Sequence, residues 1–322
     1  MQVPEYFTYL SVQHLESLNL SAEAIIQSIE QLLTTARQSH AWNAPKSVIM
    51  PDQRYLMATL SAADDPPFLA VKALVLNPRN HARGLADINA LVTLLDSDTG
   101  VPLVIIDGNW VTAVRTAGLS AVAAKQLARR DSSVITFIGC GVQARSHLKL
   151  FAQLFPLREL RAFGRGASNR NALCQLGEAL GLRSIASESA QAAICDADLI
   201  ISTVTFSTQL VPFLDARWLK PGAFATVTDL AAPWIKQSFS ELDYIVIDDR
   251  EQEAVMETPL INPHWITGDL TELVCDVIKG RSTDEQKTAF IFRGLALGDL
   301  ALSALAYQTA QLQQIGFPIK RE

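Results

Sequence analysis

The stretch Thr136 to His147 reads TFIGCGVQARSH and contains Gly139-Cys140-Gly141-Val142-Gln143-Ala144, a G-x-G-x-x-A pattern. An apolar run precedes it and a helical run follows. In that setting Gly139 permits a tight turn and Gly141 lets the backbone approach a pyrophosphate. Ala144 lets the helix lie close to the sheet, and the pyrophosphate then sits at the positive end of that helix. A dinucleotide site of this type that takes NAD carries an acid at the end of the next strand, for the ribose hydroxyls. Here that place reads RAFGRGASNR, with Gly164 followed at once by Arg165. A carboxylate repels a 2′-phosphate, whereas arginine pairs with it through a charge-assisted fork. Ser168 and Arg170 stand near enough to add donors. The expected cofactor is therefore NADPH, with NADH less favoured.

A second set of residues bears charge where charge is costly. Lys72 interrupts FLAVKALVL, so it either meets an anion or faces solvent on an edge strand. Arg115 sits among small and apolar neighbours in VTAVRTAG, and Lys46 precedes another strand-like run. Three such cations suit a substrate carboxylate. Asp229 follows the apolar run FATVT, at the strand end where open parallel sheets hold ligands. It reads either as an acid/base or ammonium partner or as a turn aspartate. Beside cations its carboxyl is expected below the usual range.

The elements that must position these groups fall into two textures. Ser21 caps a helix with Ile25, Ile26, Ile29, Leu32, Leu33 and Ala36 on one face. SVIM, RYLMATL and FLAVKALVL then read as strands, and LVTLLDSDTGVPLVIID reads as a hairpin. From about Trp110 the pattern changes to an alanine-rich helix. After it come strand Val134–Ile138, helix Val142–Leu154, strand Leu160–Phe163, helix Ser168–Leu180, and strands at Leu199–Thr203, Ala225–Thr228 and Tyr244–Ile247. Alternating strands and helices predict an α/β chain with a Rossmann-type, doubly wound parallel sheet, plus a smaller α+β domain. The boundaries expected are 1–114 with 295–322 for the smaller domain and 115–294 for the dinucleotide domain, a last helix at Leu295–Gln313 returning to the first.

The 322 residues are 49% hydrophobic, enough for a sizeable core in two domains. Net charge is −6 with no basic run, which argues against nucleic acid or an anionic membrane as partner. The four cysteines have no paired spacing and the five histidines form no ligand pattern, so neither disulfides nor a metal is expected. The opening MQVPEYFTYL lacks a basic segment followed by an apolar one, and no apolar run reaches membrane-span length. A cytoplasmic location is expected.

VKALVLNPRNHARGLADINALVTLLDSDTGVPLVIIDGNWVTAVRTAGLSAVAAKQLA, FIGCGVQARSH, DLIISTVT and GLALGDLALSAL together resemble the ornithine cyclodeaminase/mu-crystallin family, over most of the chain from about Pro45 to Tyr307. The resemblance implies a homodimer. It implies that Lys72 and Arg115 bind a substrate carboxylate, and that the dinucleotide lies on the turn at Val142 and Gln143. It also implies that Thr203, Val204 and Thr205 line the nicotinamide side and that Asp229 acts on the substrate nitrogen.

The chain departs from the family's usual pattern at Lys46, which stands for an arginine, and from the cyclodeaminase pattern at Met57 to Thr59, where a glutamate is missing. It departs again at Gly164, which stands for an acid, and after Asp229, where AAPWIKQ replaces a Pro-Gly-Lys segment. These departures point to an NADPH-dependent reductase of cyclic imino acids, yielding proline or pipecolate, with Asp229 and Lys72 in catalytic roles. The alternatives within the resemblance are an ornithine or lysine cyclodeaminase with bound NAD, an alanine-type dehydrogenase, and a non-catalytic ligand-binding protein.

Overall fold

The computed structural model describes residues 5–52, 54–205, 207 and 209–321, the side chain of residue 81 excepted. Two compact units emerge: Met1–Arg115 with Ala296–Glu322, and Thr116–Leu295. The division falls inside helix α3 (Gly108–Leu127).

In the first unit, strand β1 (Tyr6–Leu10) leads through α1 (Val12–Ser17) to α2 (Ala22–Arg37). Ser21 caps α2, its hydroxyl accepting from the Ala24 N–H at 3.1 Å, and Ile25, Ile26, Ile29, Leu32 and Leu33 are buried on one face. Then come β2 (Ala41–Asn43), β3 (Ser47–Ile49), β4 (Tyr55–Asp64), β5 (Pro67–Leu76), β6 (Ile88–Asp96) and β7 (Pro102–Asp107). The second unit begins with β8 (Val134–Ile138), α4 (Val142–Leu154), β9 (Glu159–Phe163), α5 (Ala167–Ala179), β10 (Arg183–Ala186), α6 (Ala190–Ile194) and β11 (Leu199–Ser202). It continues with β12 (Phe224–Val227), β13 (Tyr244–Ile247), α7 (Arg250–Ala254), β14 (Gly268–Asp269), α8 (Leu270–Val274) and β15 (Thr288–Ile291). The chain returns to the first unit in α9 (Ala296–Gln313) and β16 (Phe317–Lys320).

The first unit is a mixed sheet in the order β16-β1-β7-β6-β5-β4-β2, with β3 also on β4. β4, β5 and β6 pair antiparallel in long register, Thr59 opposite Lys72 and Lys72 opposite Val92. Side chains alternate, so the Lys72 face is the buried one and the face bearing Leu60 and Val71 is the other. α9 and α2 pack together, and α9 also lies against β4 and β5. α9 is apolar nearly all round, the pattern of a helix buried on every side. That burial makes its one acid, Asp299, conspicuous.

The second unit carries an eight-stranded sheet in the order β10-β9-β8-β11-β12-β15-β13-β14, every pairing parallel. β8 lies between β9 and β11, so the chain leaves it to one side and later returns on the other. That switch point opens a crevice at the carboxyl ends of the strands. A polar chain through the interior fastens the helices there. Thr226 on β12 donates to the Ser120 hydroxyl at 3.0 Å, Ser120 lies 2.9 Å from His147 Nε2, and His147 Nδ1 lies 2.8 Å from the Gln143 carbonyl. Burial pushes His147 down to about 4, so the imidazole is neutral and fills a structural place.

Candidate active site

The phosphate turn lies at the switch point, between β8 and α4. Gly139 has φ +93°, and a Cβ there would stand 2.6 Å from the Thr203 carbonyl oxygen. The end of β11 and the turn are thus in contact, and Thr203 donates back to the Gly139 carbonyl at 3.1 Å. Gly141 has an ordinary φ of −79°, and a Cβ there would meet nothing within 4 Å among the described residues. The space over Gly141 is open on the side where a pyrophosphate would approach.

Among the described residues no side chain caps α4 or α5, whose N-caps are Gly141 and Gly166, and neither has an acid in its first turn. The other helices with assigned N-caps use Ser11, Ser21, Ser189, Asp249 and Asp269. Two bare, positive helix ends beside the turn fit a dinucleotide's phosphates. Arg165 and Ser168 are exposed at the α5 end. Arg170 is half-buried and donates to the Gly164 carbonyl at 3.3 Å, which ties it to the end of β9. Gly164 faces Cys140: a Cβ there would lie 3.1 Å from the Cys140 sulfur. Burial, first, and then Cys174 push the Cys140 thiol up to about 11, so it packs rather than reacts.

Asp229 lies just past β12, beside the end of β11. One carboxylate oxygen accepts a short hydrogen bond from Ser202 and another from the Val204 N–H at 3.0 Å. Trp234 donates its indole N–H to the Ser202 hydroxyl at 3.1 Å, which fixes that hydroxyl's direction. The other oxygen, Oδ1, is buried and has no partner among the described residues. The next two residues, Leu230 and Ala231, have φ of 58° and 55°. Two successive non-glycine residues in the left-handed region are strained, and such strain gathers where a side chain must be aimed. Burial pushes the Asp229 carboxyl up to about 6, against the bonds from Ser202 and Val204. This corrects the expectation of a carboxyl held low by neighbouring cations.

Those cations have another partner. Lys72, 1% exposed on β5, lies 2.6 Å from Asp299 Oδ2, and Arg115 Nε on α3 lies 2.9 Å from Asp299 Oδ1. The alignments fall short of directed hydrogen bonds, so the attraction is chiefly coulombic. Thr59 stands 3.5 Å from Asp299 Oδ2. Burial works to raise the Asp299 carboxyl, but the charges of Lys72 and Arg115 outweigh it and hold it below the usual range, with Lys46 adding to the effect. Lys46 is half-buried just before β3. The Arg115 Nη1 is buried and has no partner among the described residues.

Of the residues singled out in the sequence, Lys72 and Arg115 thus meet on one carboxylate, and Lys46 acts on it. Gly139 and Thr203 meet at the turn, and Val204 meets Asp229. Val204 is half-buried and Thr205 exposed. Asp299, Ser202 and Trp234 escaped sequence reasoning. The signal for Asp299 was an acid in the otherwise uncharged run GLALGDLALSAL; Ser202 and Trp234 gave none.

The sequence profile of the ornithine cyclodeaminase/mu-crystallin family matches residues 8–314. The chain belongs to that family. The mouse ketimine reductase mu-crystallin is 28% identical over 312 residues, 94% of this chain and 96% of the mouse protein. The Thermococcus litoralis Delta(1)-pyrroline-2-carboxylate reductase, solved with NADH and L-proline, superposes with a TM-score of 0.89 at 27% identity, over 97% of this chain and all of that one. An archaeal alanine dehydrogenase dimer with bound NAD superposes at 0.87 with 25% identity, over 98% of this chain and all of that one. These relatives are named as reductases and a dehydrogenase, and the two solved neighbours hold NADH or NAD, which supports an oxidoreductase that works with a nicotinamide dinucleotide. Among the described residues no helix is long and apolar enough to cross a membrane.

Proposed function

We propose that this protein reduces a cyclic imino acid, pyrroline-2-carboxylate or piperideine-2-carboxylate, to L-proline or L-pipecolate, with NADPH as the reductant. The observation that carries the reading is the charge inventory around Lys72. The buried groups in contact there are two cations and one carboxylate, and that carboxylate, Asp299, is already shared by Lys72 and Arg115. Thr59 stands in the stretch where a cyclodeaminase has its glutamate, so an ornithine or lysine side chain would bring an ammonium with no counter-charge. A ring imine brings only its carboxylate and its nitrogen.

Lys72 and Arg115, with Lys46, bind the substrate carboxylate and fix the ring, which removes much of the entropic barrier. The bound nicotinamide supplies the hydride that reduces the C=N carbon. The nitrogen must be protonated for that transfer, and Asp229, raised to about 6 by burial, exchanges that proton. Ser202 and Trp234 hold the carboxylate, while Oδ1 is left to receive or give it.

The preference for NADPH rests on Arg165, on the bare end of α5 and on Gly164 in the place of the acid. The homodimer belongs to the same reading. Leu60, Val71 and Leu91 are 50%, 39% and 50% exposed on one face of the first unit's sheet, an apolar surface of the kind a second copy covers. Four free thiols support the cytosol as its place of work.

The test is oxidation of NADPH and of NADH with pyrroline-2-carboxylate under matched conditions. Turnover with preference for NADPH is expected, and Arg165→Ala should weaken NADPH binding by about ten-fold while leaving NADH unchanged. Equal loss for both cofactors would remove Arg165 from the 2′-phosphate. Ammonia release from ornithine, or turnover of pyruvate with ammonia but of no imine, would replace the reductase reading with a cyclodeaminase or an alanine-type dehydrogenase. No turnover at all would leave a binding protein.

A further inference from the structure

Asp299 has no assigned role, yet it is the point on which the cation site closes. Its two oxygens are divided between two elements: Oδ2 faces Lys72 on β5 and Oδ1 faces Arg115 Nε on α3. We propose that Asp299 is the positioning residue of the carboxylate site, keeping Lys72 charged and fixing the guanidinium edge that Arg115 presents to the incoming anion. The identity of that anion rests on the imino-acid reading; the role of Asp299 does not.

The argument is one of charge in a dry place. An ammonium as buried as Lys72 is driven towards its neutral form. Burial lowers Lys72 to about 8; Asp299 opposes that fall and Arg115 adds to it. The groups facing Lys72 are Asp299 from α9, Arg115 from α3 and the uncharged Thr59 from β4, with Lys46 acting on Asp299 from beside β3. Asp299 is therefore what favours the charged lysine. Geometry gives the second half. Asp299 Oδ1 lies 2.9 Å from Arg115 Nε, a coulombic contact on that side of the guanidinium, so the side left for a ligand is the Nη edge, where Nη1 is buried without a hydrogen-bond partner among the described residues. A fork held on one side presents its other side in a fixed plane. The two buried cations against one resident carboxylate leave a positive charge, to which the half-buried Lys46 adds, and a monocarboxylate complements it.

The experiment is a pH titration of the lysine side chains by NMR, with Lys72 identified by the signal lost in Lys72→Met, set beside steady-state kinetics. The unsubstituted protein should titrate Lys72 near 8. Asp299→Asn should lower that midpoint by at least about one unit, and Asp299→Glu, which keeps the charge, should restore it to within about half a unit. In Asp299→Asn the KM for pyrroline-2-carboxylate should rise about ten-fold or more, the alkaline limb of kcat/KM should move down with the Lys72 midpoint, and NADPH affinity should stay unchanged. A Lys72 midpoint or an alkaline limb that does not move overturns the proposal. If the asparagine chain does not fold, Asp299→Glu carries the test: its longer arm keeps Lys72 charged but displaces the guanidinium, so KM rises at an unchanged midpoint, and an unchanged KM overturns the proposal. A protein that reduces no imino acid, but whose Lys72 midpoint still answers to Asp299→Asn, defeats the reductase reading and supports the role of Asp299.

Discussion

Asp229 is a carboxyl that the fold makes harder to ionise, and the same burial has a kinetic and a thermodynamic consequence. On the proposed reading Asp229 is the proton donor and is active when protonated, so kcat for imine reduction should fall as pH rises through about 6. Asp229→Asn should remove that limb and lower kcat by about a hundredfold, with little change in NADPH affinity. The stability effect has a definite sign. A carboxyl raised from 3.8 to about 6 binds its proton more tightly when folded, so its contribution is present below the unfolded value and is lost as pH rises through the folded one. At neutral pH the ionised group is a cost. Asp229→Asn should therefore stabilise the protein there, by about 3 kcal/mol at most, and the gain should vanish below the unfolded pKa. Thermal unfolding at several pH values checks this; a variant less stable at neutral pH would mean that the Ser202 and Val204 bonds need the carboxylate itself. Lys72 and Arg115 were legible in the sequence because a cation inside an apolar run must find an anion. Their partner was not. A single acid on a helix normally points to solvent, and only the continuous burial of α9 from Ala296 to Ala304 reveals Asp299 as interior. The direction expected for Asp229 differs for a related reason: Lys72 and Arg115 pair with Asp299, and burial is what sets the Asp229 carboxyl.

The phosphate turn offers a test that separates folding from binding, because its two glycines do different things. Gly139 needs φ +93° and has Thr203 backbone 2.6 Å from any added Cβ, so Gly139→Ala should both destabilise the protein and abolish dinucleotide binding. Gly141→Ala meets no strain and no neighbour within 4 Å, so its unfolding temperature should stay near that of the unsubstituted protein while dinucleotide affinity falls at least about ten-fold. Calorimetry and fluorescence titration of NADPH read the two quantities; unchanged affinity in Gly141→Ala would move the pyrophosphate away from this turn. At this scale the sequence was legible wherever periodicity and punctuation agree. β8, α4 and β13 fall at their expected bounds, and α5 is displaced by one residue. β1, β10, β15 and β16 were missed. Each has only four or five residues, too few to establish a period, and β15, TAFI, is buried throughout, so it shows no alternation at all. Such strands are fixed by the sheet that receives them, not by their own residues.

For the whole molecule, the informative surface is the side of β4, β5 and β6 that faces away from Lys72. Leu60 pairs with Val71 across β4 and β5, and Ala73 on β5 pairs with both Ala58 and Leu91. On that face β4 runs Leu56, Ala58, Leu60, Ala62 and β5 runs Leu69, Val71, Ala73, Val75, with no charge between. A one-sided antiparallel sheet normally alternates apolar and polar residues, whereas FLAVKALVL is apolar on both faces and places its only charge on the buried one. In the structure α9 lies on the Lys72 face, whereas Leu60, Val71 and Leu91 on the other face are exposed among the described residues, and on the proposed reading a second copy pairing face to face would cover them. The proposed homodimer would meet that demand, and because the charge lies on the opposite face it is testable without touching the site. Leu60→Glu with Val71→Glu puts two carboxylates at the centre of the face, where a dimer would have to bury them unpaired. The unsubstituted protein should sediment as a dimer and the double variant as a monomer, with NADPH still bound by the second unit. A double variant that remains dimeric would place the contact elsewhere, and an unsubstituted monomer would leave this apolar sheet face exposed in solution, against the expectation for a surface of its kind.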